Sequence, residues 1–333
     1  MEYIESNRRE FLKTLIAGIT MGSGILSQQV IGAEGLPKRP LGKTGEMICI
    51  IGLGGADIGH IKDHDEAVSI MHEAIDEGLT FFDNCWEYHS GHSERIMGKA
   101  LSSNGRRDKV FLMTKVCARD YQGAKQQLED SLKRLQTDRI DLWQFHGIKW
   151  DDDAGLIFNP EKGALKAALE ARKAGKIRYI GFTGHKDPRY HLSMLAQDFE
   201  WDSVLIPLNV LDFHYRSFQK EVMPILNYRE IGILGMKALA SQNGRLVRET
   251  GISAELARRY VLSLPVTSLL CGIRSRDNLR QDIAIARNFK PLTEQEIKSL
   301  VETSKQFSLD GQIEKYKTGD YGCNWFRKST DEL

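Results

Sequence analysis

Cysteine is scarce in this chain, and its spacing matches no metal-cluster motif. The five cysteines stand at positions 49, 85, 117, 271 and 323. None belongs to a C-x-x-C pair, whereas structural zinc and iron–sulfur sites usually draw ligands from such close pairs. The odd number also excludes a complete disulfide framework. We therefore expect reduced, inert thiols and no metal site.

The sequence also lacks a charge bias and a long apolar run. Its formal net charge is +1 over 333 residues, which gives no electrostatic footprint for nucleic acid. The mean hydropathy of -0.37 argues against a polytopic membrane protein. The chain is long enough for one large domain or two ordinary ones.

The first 33 residues differ from the rest and predict an export signal. A basic segment, 7–13, precedes an uncharged and mostly apolar run, 14–26, and a small residue, Ala33, ends the segment. This order is typical of a signal peptide, and the apolar run is too short for a comfortable membrane span. The alternative is a basic start to an ordinary helix. Because Ile31 is not small, cleavage after Ala33 is left open.

The segment 7–13 resembles the twin-arginine (Tat) export signal. Five of its residues match that signal: Arg8, Arg9, Phe11, Leu12 and Lys13. The resemblance implies that the Tat machinery is a partner and that the protein is exported to the periplasm or cell envelope. We expect no stable transmembrane segment after processing.

Eight short apolar segments recur at even intervals and predict buried parallel strands. They are 48–53, 79–84, 109–116, 139–146, 177–183, 203–210, 232–239 and 266–273. Helical patterns at 65–77, 126–135, 160–174 and 254–263 lie between several of them, the last with Ser253 as N-cap. Eight strand–helix units in about 250 residues are typical of a (β/α)8 TIM barrel, an α/β fold.

The same pattern sets the expected domain organisation. We predict one barrel over 34–300, with a hairpin at 39–47 that closes the barrel floor. Residues 301–333 exceed what a barrel needs and predict a C-terminal extension near the substrate pocket. A Rossmann fold is the competing interpretation, because Gly52 and Gly54 follow the first strand. Its G-x-G-x-x-G motif fails, since Asp57 stands where the third glycine belongs.

Ionisable side chains follow three consecutive predicted strands. Asp83 ends the second strand, Lys115 the third and His146 the fourth, and Tyr88 lies on the loop after Asp83. The carboxyl ends of barrel strands form one mouth, where active sites lie. Each residue alone is as readily structural, so the prediction rests on their joint placement.

These residues lie in blocks that resemble the aldo-keto reductase signature. The blocks are 82–88, 91–94, 98–101, 114–115 and 141–146, and the similarity covers roughly 38–285. The resemblance implies a catalytic tetrad of Asp83, Tyr88, Lys115 and His146. It implies carbonyl reduction with Tyr88 as proton donor, Lys115 lowering the Tyr88 pKa, Asp83 holding Lys115, and His146 orienting the substrate oxygen. The alternative is a cofactor-binding but non-catalytic sensor or subunit.

The resemblance also implies an NADP(H) site along the later strands, with NAD(H) as the less favoured cofactor. The predicted cofactor residues are Gly54, Thr183, Gly184, Asn209, Met236, Lys237, Gly272, Arg274, Arg276 and Asn278. Gly184 stands where the family places an Asn against the carboxamide, so that contact is lost or moves to His185. Arg274 and Arg276 are the candidates for the adenosine phosphate. Lys237 and either arginine also remain open to interpretation as ordinary surface residues.

Overall fold

A closed barrel of parallel strands forms the centre of the protein. This computed structural model describes residues 35–241, 243–308 and 310–319. Its strands are β1 Lys38–Pro40, β2 Met47–Cys49, β3 Ile51–Gly54, β4 Phe81–Asp83, β5 Phe111–Val116, β6 Ile140–Phe145, β7 Ile177–Thr183, β8 Ser203–Pro207, β9 Gly232–Met236 and β10 Ser268–Cys271. The strands β3 to β10 pair in parallel around the ring, with β10 next to β3. The predicted (β/α)8 barrel is thereby confirmed.

Helices follow the barrel strands and cover them from outside. They are α1 Gly55–Ile58, α2 His64–Asp76, α3 His92–Leu101, α4 Arg106–Lys109, α5 Tyr121–Leu135, α6 Asp153–Ile157, α7 Ala164–Lys173, α8 Pro188–Leu195, α9 Phe218–Glu221, α10 Met223–Tyr228, α11 Arg245–Thr250, α12 Ala254–Ser263, α13 Arg276–Arg287, α14 Glu294–Ser304 and α15 Lys315–Thr318. Short 3-10 turns lie at Tyr88–Gly91, Asp212–His214 and Lys305–Phe307.

Local sequence signals explain where these helices begin. Ser253 caps α12 as predicted, because its hydroxyl accepts from the amide of Leu256. The helix predicted at 126–135 begins earlier, at Tyr121, because Asp120 caps it through the amide of Gly123. A capping side chain satisfies amides that lack a helical partner, and so fixes the first turn.

The floor of the barrel is closed by the hairpin β1–β2. The predicted first strand, 48–53, is divided: Met47–Cys49 pairs antiparallel with Lys38–Pro40, and only Ile51–Gly54 enters the barrel. Leu41 and Ile48 pack against the apolar side chains that fill this end of the barrel, which are Phe81, Met113, Leu142, Leu205 and Leu234. The hairpin therefore covers this end of the barrel with apolar side chains.

The predicted domain ends are only partly within the described residues. The signal segment 1–33 and the end of the predicted extension, 320–333, lie outside them. The boundary expected at residue 300 falls inside α14. Among the described residues, none of the helices combines the length and apolar character that crossing a membrane requires.

The prediction that all cysteines are unpaired is wrong for Cys117, which is disulfide-bonded. Cys49, Cys85 and Cys271 are free and buried. An odd count excludes a complete framework but still leaves room for one bond. Because the fold joins positions that are far apart in the chain, sequence spacing does not test such a bond.

Candidate active site

The four predicted catalytic residues line one cavity at the carboxyl ends of the barrel strands. Asp83 is the last residue of β4, Lys115 lies in β5, and His146 directly follows β6. Tyr88 opens the 3-10 turn after β4. The cavity has a volume of about 810 Å³, within the usual range for small-molecule and cofactor sites. Parallel strands that end together therefore bring these side chains together as the sequence predicts.

Lys115 is the centre of the polar contacts in this group. Its ammonium forms an ion pair with Asp83 and donates to the carbonyl oxygen of Asn84 at 2.7 Å. The same ammonium lies 3.4 Å from the hydroxyl of Tyr88. The side chains of Lys115 and Asp83 are only 1% and 5% exposed. The burial and the three contacts leave the ammonium little freedom, so its position relative to Tyr88 is fixed.

The ionisation of Tyr88 differs from the expectation. The sequence predicts that Lys115 lowers the pKa of Tyr88, but burial raises this pKa well above its ordinary value, and the Asp83 carboxylate raises it further. The phenol loses its hydration in the cavity, and the charge of Lys115 is largely shared with Asp83. Tyr88 therefore carries its proton in this structure.

His146 contacts three side chains through one ring nitrogen. Its Nδ1 lies 3.1 Å from Glu87 Oε1, 3.2 Å from Cys85 Sγ and 3.7 Å from Cys117 Sγ. Burial lowers the pKa of His146, although the hydrogen bond from His146 Nδ1 to the Glu87 carboxylate acts in the opposite direction. The imidazole is therefore neutral at pH 7, as the predicted orienting role requires.

Most of the predicted cofactor residues also line this cavity. They are Gly54, Thr183, Gly184, Met236, Lys237, Gly272, Arg274 and Asn278. Two predicted residues, Asn209 and Arg276, do not line it. Apart from Gly54, which ends β3, these residues lie between the end of β7 and the first turn of α13.

Asn209 is directed into the C-terminal segment and not into the cavity. Its amide donates to Glu314 Oε1 at 3.0 Å and to the Tyr316 hydroxyl at 2.9 Å, and its oxygen accepts from the amide of Leu211 at 2.8 Å. Because this side chain already bonds to protein on both its donor and acceptor sides, the predicted carboxamide contact is not supported.

Arg276 and Arg274, which were predicted together, lie in different environments. The Arg276 guanidinium pairs with Glu66 at 3.0 Å and Glu73 at 2.5 Å on α2, on the outside of the barrel. Arg274 faces the cavity, where it pairs with Asp57 at 2.5 Å and donates to Asn243 at 2.7 Å. The two residues are separated by Ser275, the N-cap of α13, and their side chains point in different directions, so only Arg274 lies in this cavity.

The backbone explains why Gly184 stands where an Asn was expected. A Cβ at this position would lie 2.3 Å from the carbonyl oxygen of Ile148. The loop after β6 is held against the end of β7 by a hydrogen bond from the Ile148 amide to the Thr183 carbonyl oxygen, at 2.9 Å. No larger side chain fits there. His185 lines the cavity instead, and burial lowers its pKa well below the ordinary value.

Sequence reasoning missed several residues of the cavity wall. Asp57 was weighed only as a break in a glycine motif, and Arg248 on α11 was not considered. Both are charged residues on surface segments, and such residues are usually solvated. Only their position in space, beside the predicted phosphate loop after residue 271, shows that they belong to the cavity.

Comparison with known proteins agrees with this geometry. Residues 50–251 match the model of the aldo/keto reductase family. The uncharacterized oxidoreductase YrpG of Bacillus subtilis is 31% identical over 268 residues, which cover 69% of this chain and 77% of that protein. The aldo-keto reductase AFTS1 of Alternaria alternata is 28% identical over 264 residues, which cover 67% of this chain and 69% of that protein.

Solved structures share the fold. The holo form of aldo-keto reductase AKR11C1 from Bacillus halodurans has a TM-score of 0.68 at 24% identity, covering 84% of this chain and 99% of that one. An aldo/keto reductase from Klebsiella pneumoniae, solved with NADP and acetate, has a TM-score of 0.63 at 22% identity, covering 80% and 93%. With its barrel, its tetrad and a family match over most of its length, the chain belongs to the aldo/keto reductase family.

Proposed function

We propose that the protein is an NADP(H)-dependent oxidoreductase that interconverts a carbonyl compound and its alcohol, with Tyr88 as the general acid. The observation that carries this proposal is the shared cavity of Tyr88, Lys115 and His146, with the Lys115 ammonium 3.4 Å from the Tyr88 hydroxyl. Carbonyl reduction requires a proton for the substrate oxygen, and this arrangement supplies a proton donor with a fixed cation and a neutral imidazole beside it.

The cavity wall fits a nicotinamide dinucleotide. Gly54 and Gly272 line the cavity without a side chain, because a Cβ would lie 2.9 Å from the Cys271 carbonyl oxygen at Gly54 and 2.3 Å from Asp57 Oδ2 at Gly272. Arg274 supplies a guanidinium, and Asn278 lies in the first turn of α13, where anions bind well. When bound, the nicotinamide supplies or accepts the hydride. We propose Lys237, Gly272, Arg274 and Asn278 as its phosphate-side contacts.

Each tetrad residue then has one task. Tyr88 gives its proton to the substrate oxygen, and Lys115 holds the Tyr88 hydroxyl and stabilises the phenolate that results. Asp83 holds Lys115, and His146 orients the substrate oxygen. Proton transfer by a positioned side chain contributes about 10²–10⁴-fold to the rate.

We also propose that the protein is exported by the Tat route, which carries folded proteins. The proposal rests on the residues at 7–13, which lie outside the described part of the chain. The barrel would then bind NADP(H) in the cytoplasm, where binding adds to its stability by mass action. The disulfide at Cys117 supports export, though not one export route over another, because such bonds persist mainly outside reducing compartments.

A panel of aldehydes and ketones tests the catalytic proposal through oxidation of NADPH. We expect turnover with the wild type and a loss of at least about 10²-fold for Tyr88→Phe, with nucleotide affinity little changed. If Tyr88→Phe reduces carbonyls at the wild-type rate, the assigned mechanism is wrong. Tight nucleotide binding without turnover of any carbonyl compound would instead favour the non-catalytic sensor or subunit.

A further inference from the structure

Four side chains bring metal-binding atoms close together at Nδ1 of the His146 imidazole. They are Cys85, Glu87, Cys117 and His146, and their ligand atoms all lie within 4.8 Å of one another. Both cysteines and His146 are buried, and Glu87 is half-buried. The reaction proposed above uses His146 but gives no role to the two sulfur atoms or to Glu87.

The three distances from His146 Nδ1 to the other ligand atoms are close to those of a tetrahedral zinc centre. Zinc bond lengths place a bound nitrogen about 3.6 Å from a bound sulfur and about 3.4 Å from a bound oxygen. From His146 Nδ1, the observed distances are 3.2 Å to Cys85 Sγ, 3.7 Å to Cys117 Sγ and 3.1 Å to Glu87 Oε1. Two thiolates, an imidazole and a carboxylate are ligands that suit Zn²⁺.

The state of Cys117 decides whether the set is complete. Cys85 carries a free thiol, whereas Cys117 is disulfide-bonded. A sulfur in a disulfide is not a thiolate ligand. A dithiol reductant changes this: two electrons and two protons pass to the disulfide sulfurs, the Cys117 thiol forms, and the reductant becomes a disulfide. When a metal ion binds, the thiols of Cys85 and Cys117 each release one proton.

We propose that reduction of the Cys117 disulfide creates a Zn²⁺ site formed by Cys85, Glu87, Cys117 and His146, and that the disulfide closes this site. The ion binds Nδ1 of His146 and fixes the ring proton on Nε2. Among the described residues, Nε2 has no hydrogen-bond partner, so it is left for the cavity. Under the proposed function, this tautomer can donate to a substrate carbonyl oxygen, and the metal site thus links redox state to the orienting residue.

Metal binding by the intact protein tests the proposal without any measure of turnover. Reduced and oxidised samples are titrated with Co²⁺ and followed by electronic absorption, and Zn²⁺ competition then gives its affinity. We expect thiolate-to-cobalt charge-transfer bands and tetrahedral ligand-field bands in the reduced protein only. Cys85→Ser and Cys117→Ser should each weaken binding by at least about 100-fold, the upper end of what loss of an outer-shell partner costs.

Two further variants keep the result interpretable. Cys49→Ser is the matched control, because Cys49 is also free and buried but lies on the barrel floor, and it should bind as the wild type does. Glu87→Gln removes a half-buried ligand, tests the site without changing a buried cysteine, and should also weaken binding. Equal affinity in reduced and oxidised protein, or equal loss in Cys49→Ser and Cys85→Ser, would overturn the proposal. Wild-type affinity in both Cys85→Ser and Glu87→Gln would overturn it as well.

Discussion

Asp83 and Lys115 form an ion pair beside the Tyr88 hydroxyl, and both side chains are almost fully buried. Asp83 is the last residue of β4 and Lys115 the last but one of β5, and the backbones of these two strands pair in parallel. A buried charge is tolerated only when its partner is present, because the interior solvates ions poorly. The pair therefore joins the stability of the barrel mouth to the position of the proposed acid.

Asp83→Asn should affect both the stability of the barrel and the position of Tyr88. The change leaves the Lys115 ammonium buried without its counter-charge, and we expect the free energy of unfolding to fall by about 3–5 kcal/mol. Urea denaturation measures this loss. The double variant Asp83→Leu/Lys115→Met should recover much of the stability, because apolar replacements of a buried pair are often neutral, but it should not recover turnover. A double variant as unstable as Asp83→Asn would contradict this account.

Arg274→Ala should change cofactor preference. Loss of charge-assisted hydrogen bonds costs roughly 1.5–3 kcal/mol, or about 10- to 150-fold in affinity. We expect the Kd of NADPH to rise by this amount and the Kd of NADH to change much less, as measured by fluorescence titration. Arg276→Ala is the control, because its guanidinium pairs with Glu66 and Glu73 outside the cavity. A larger loss of NADPH affinity in Arg276→Ala would reverse our assignment.

His191 should make stability depend on pH. Burial among the rings of Phe182 and Phe218 lowers the pKa of His191 from 6.5 to about 3. The unfolded chain therefore binds a proton that the native protein does not, and stability falls as pH falls below about 6.5. Between pH 7 and pH 5 the protonation of this residue should lower the free energy of unfolding by about 2 kcal/mol.

His191→Leu isolates that contribution, because it removes the titrating group from the same apolar site. Urea denaturation at pH 7 and pH 5 should show a smaller loss of stability in the variant than in the wild type. Parallel pH profiles for the two proteins would show that His191 does not contribute to the effect.

Export can be tested by replacing the two arginines of the N-terminal segment. Arg8→Lys/Arg9→Lys keeps the charge but removes the guanidinium pair that the Tat resemblance depends on. We expect folded, active protein to accumulate in the cytoplasm, as cell fractionation and activity assays would show. Export of the double variant at the wild-type level, or a wild type that stays in the cytoplasm, would refute the signal and leave the barrel chemistry untouched.

The sequence predicted the barrel and the family, which are confirmed, and four residues that the structure brings to one cavity. Strands that are buried on both faces have apolar sequences, which makes them recognisable. The carboxyl ends of all the strands in a parallel barrel lie at the same end, so the residues there, Asp83, Lys115 and His146, come close together. The ends of the strands did not follow from the same pattern. The run 48–53 contains two strands because the chain turns at residue 50 from the floor hairpin into the barrel, and apolar pattern does not show that turn.

Which side chains face the cavity and which face away depends on how distant segments pack. The sequence does not distinguish Arg274 from Arg276. In the structure, Arg276 pairs with a carboxylate of α2, whereas Arg274 pairs with Asp57 in the cavity. Asn209 turns to the C-terminal segment because Glu314 and Tyr316 return over the barrel mouth. Cys85 and Cys117 meet at His146 because three different strands end there. Such contacts arise from packing between distant segments, and no local pattern encodes them.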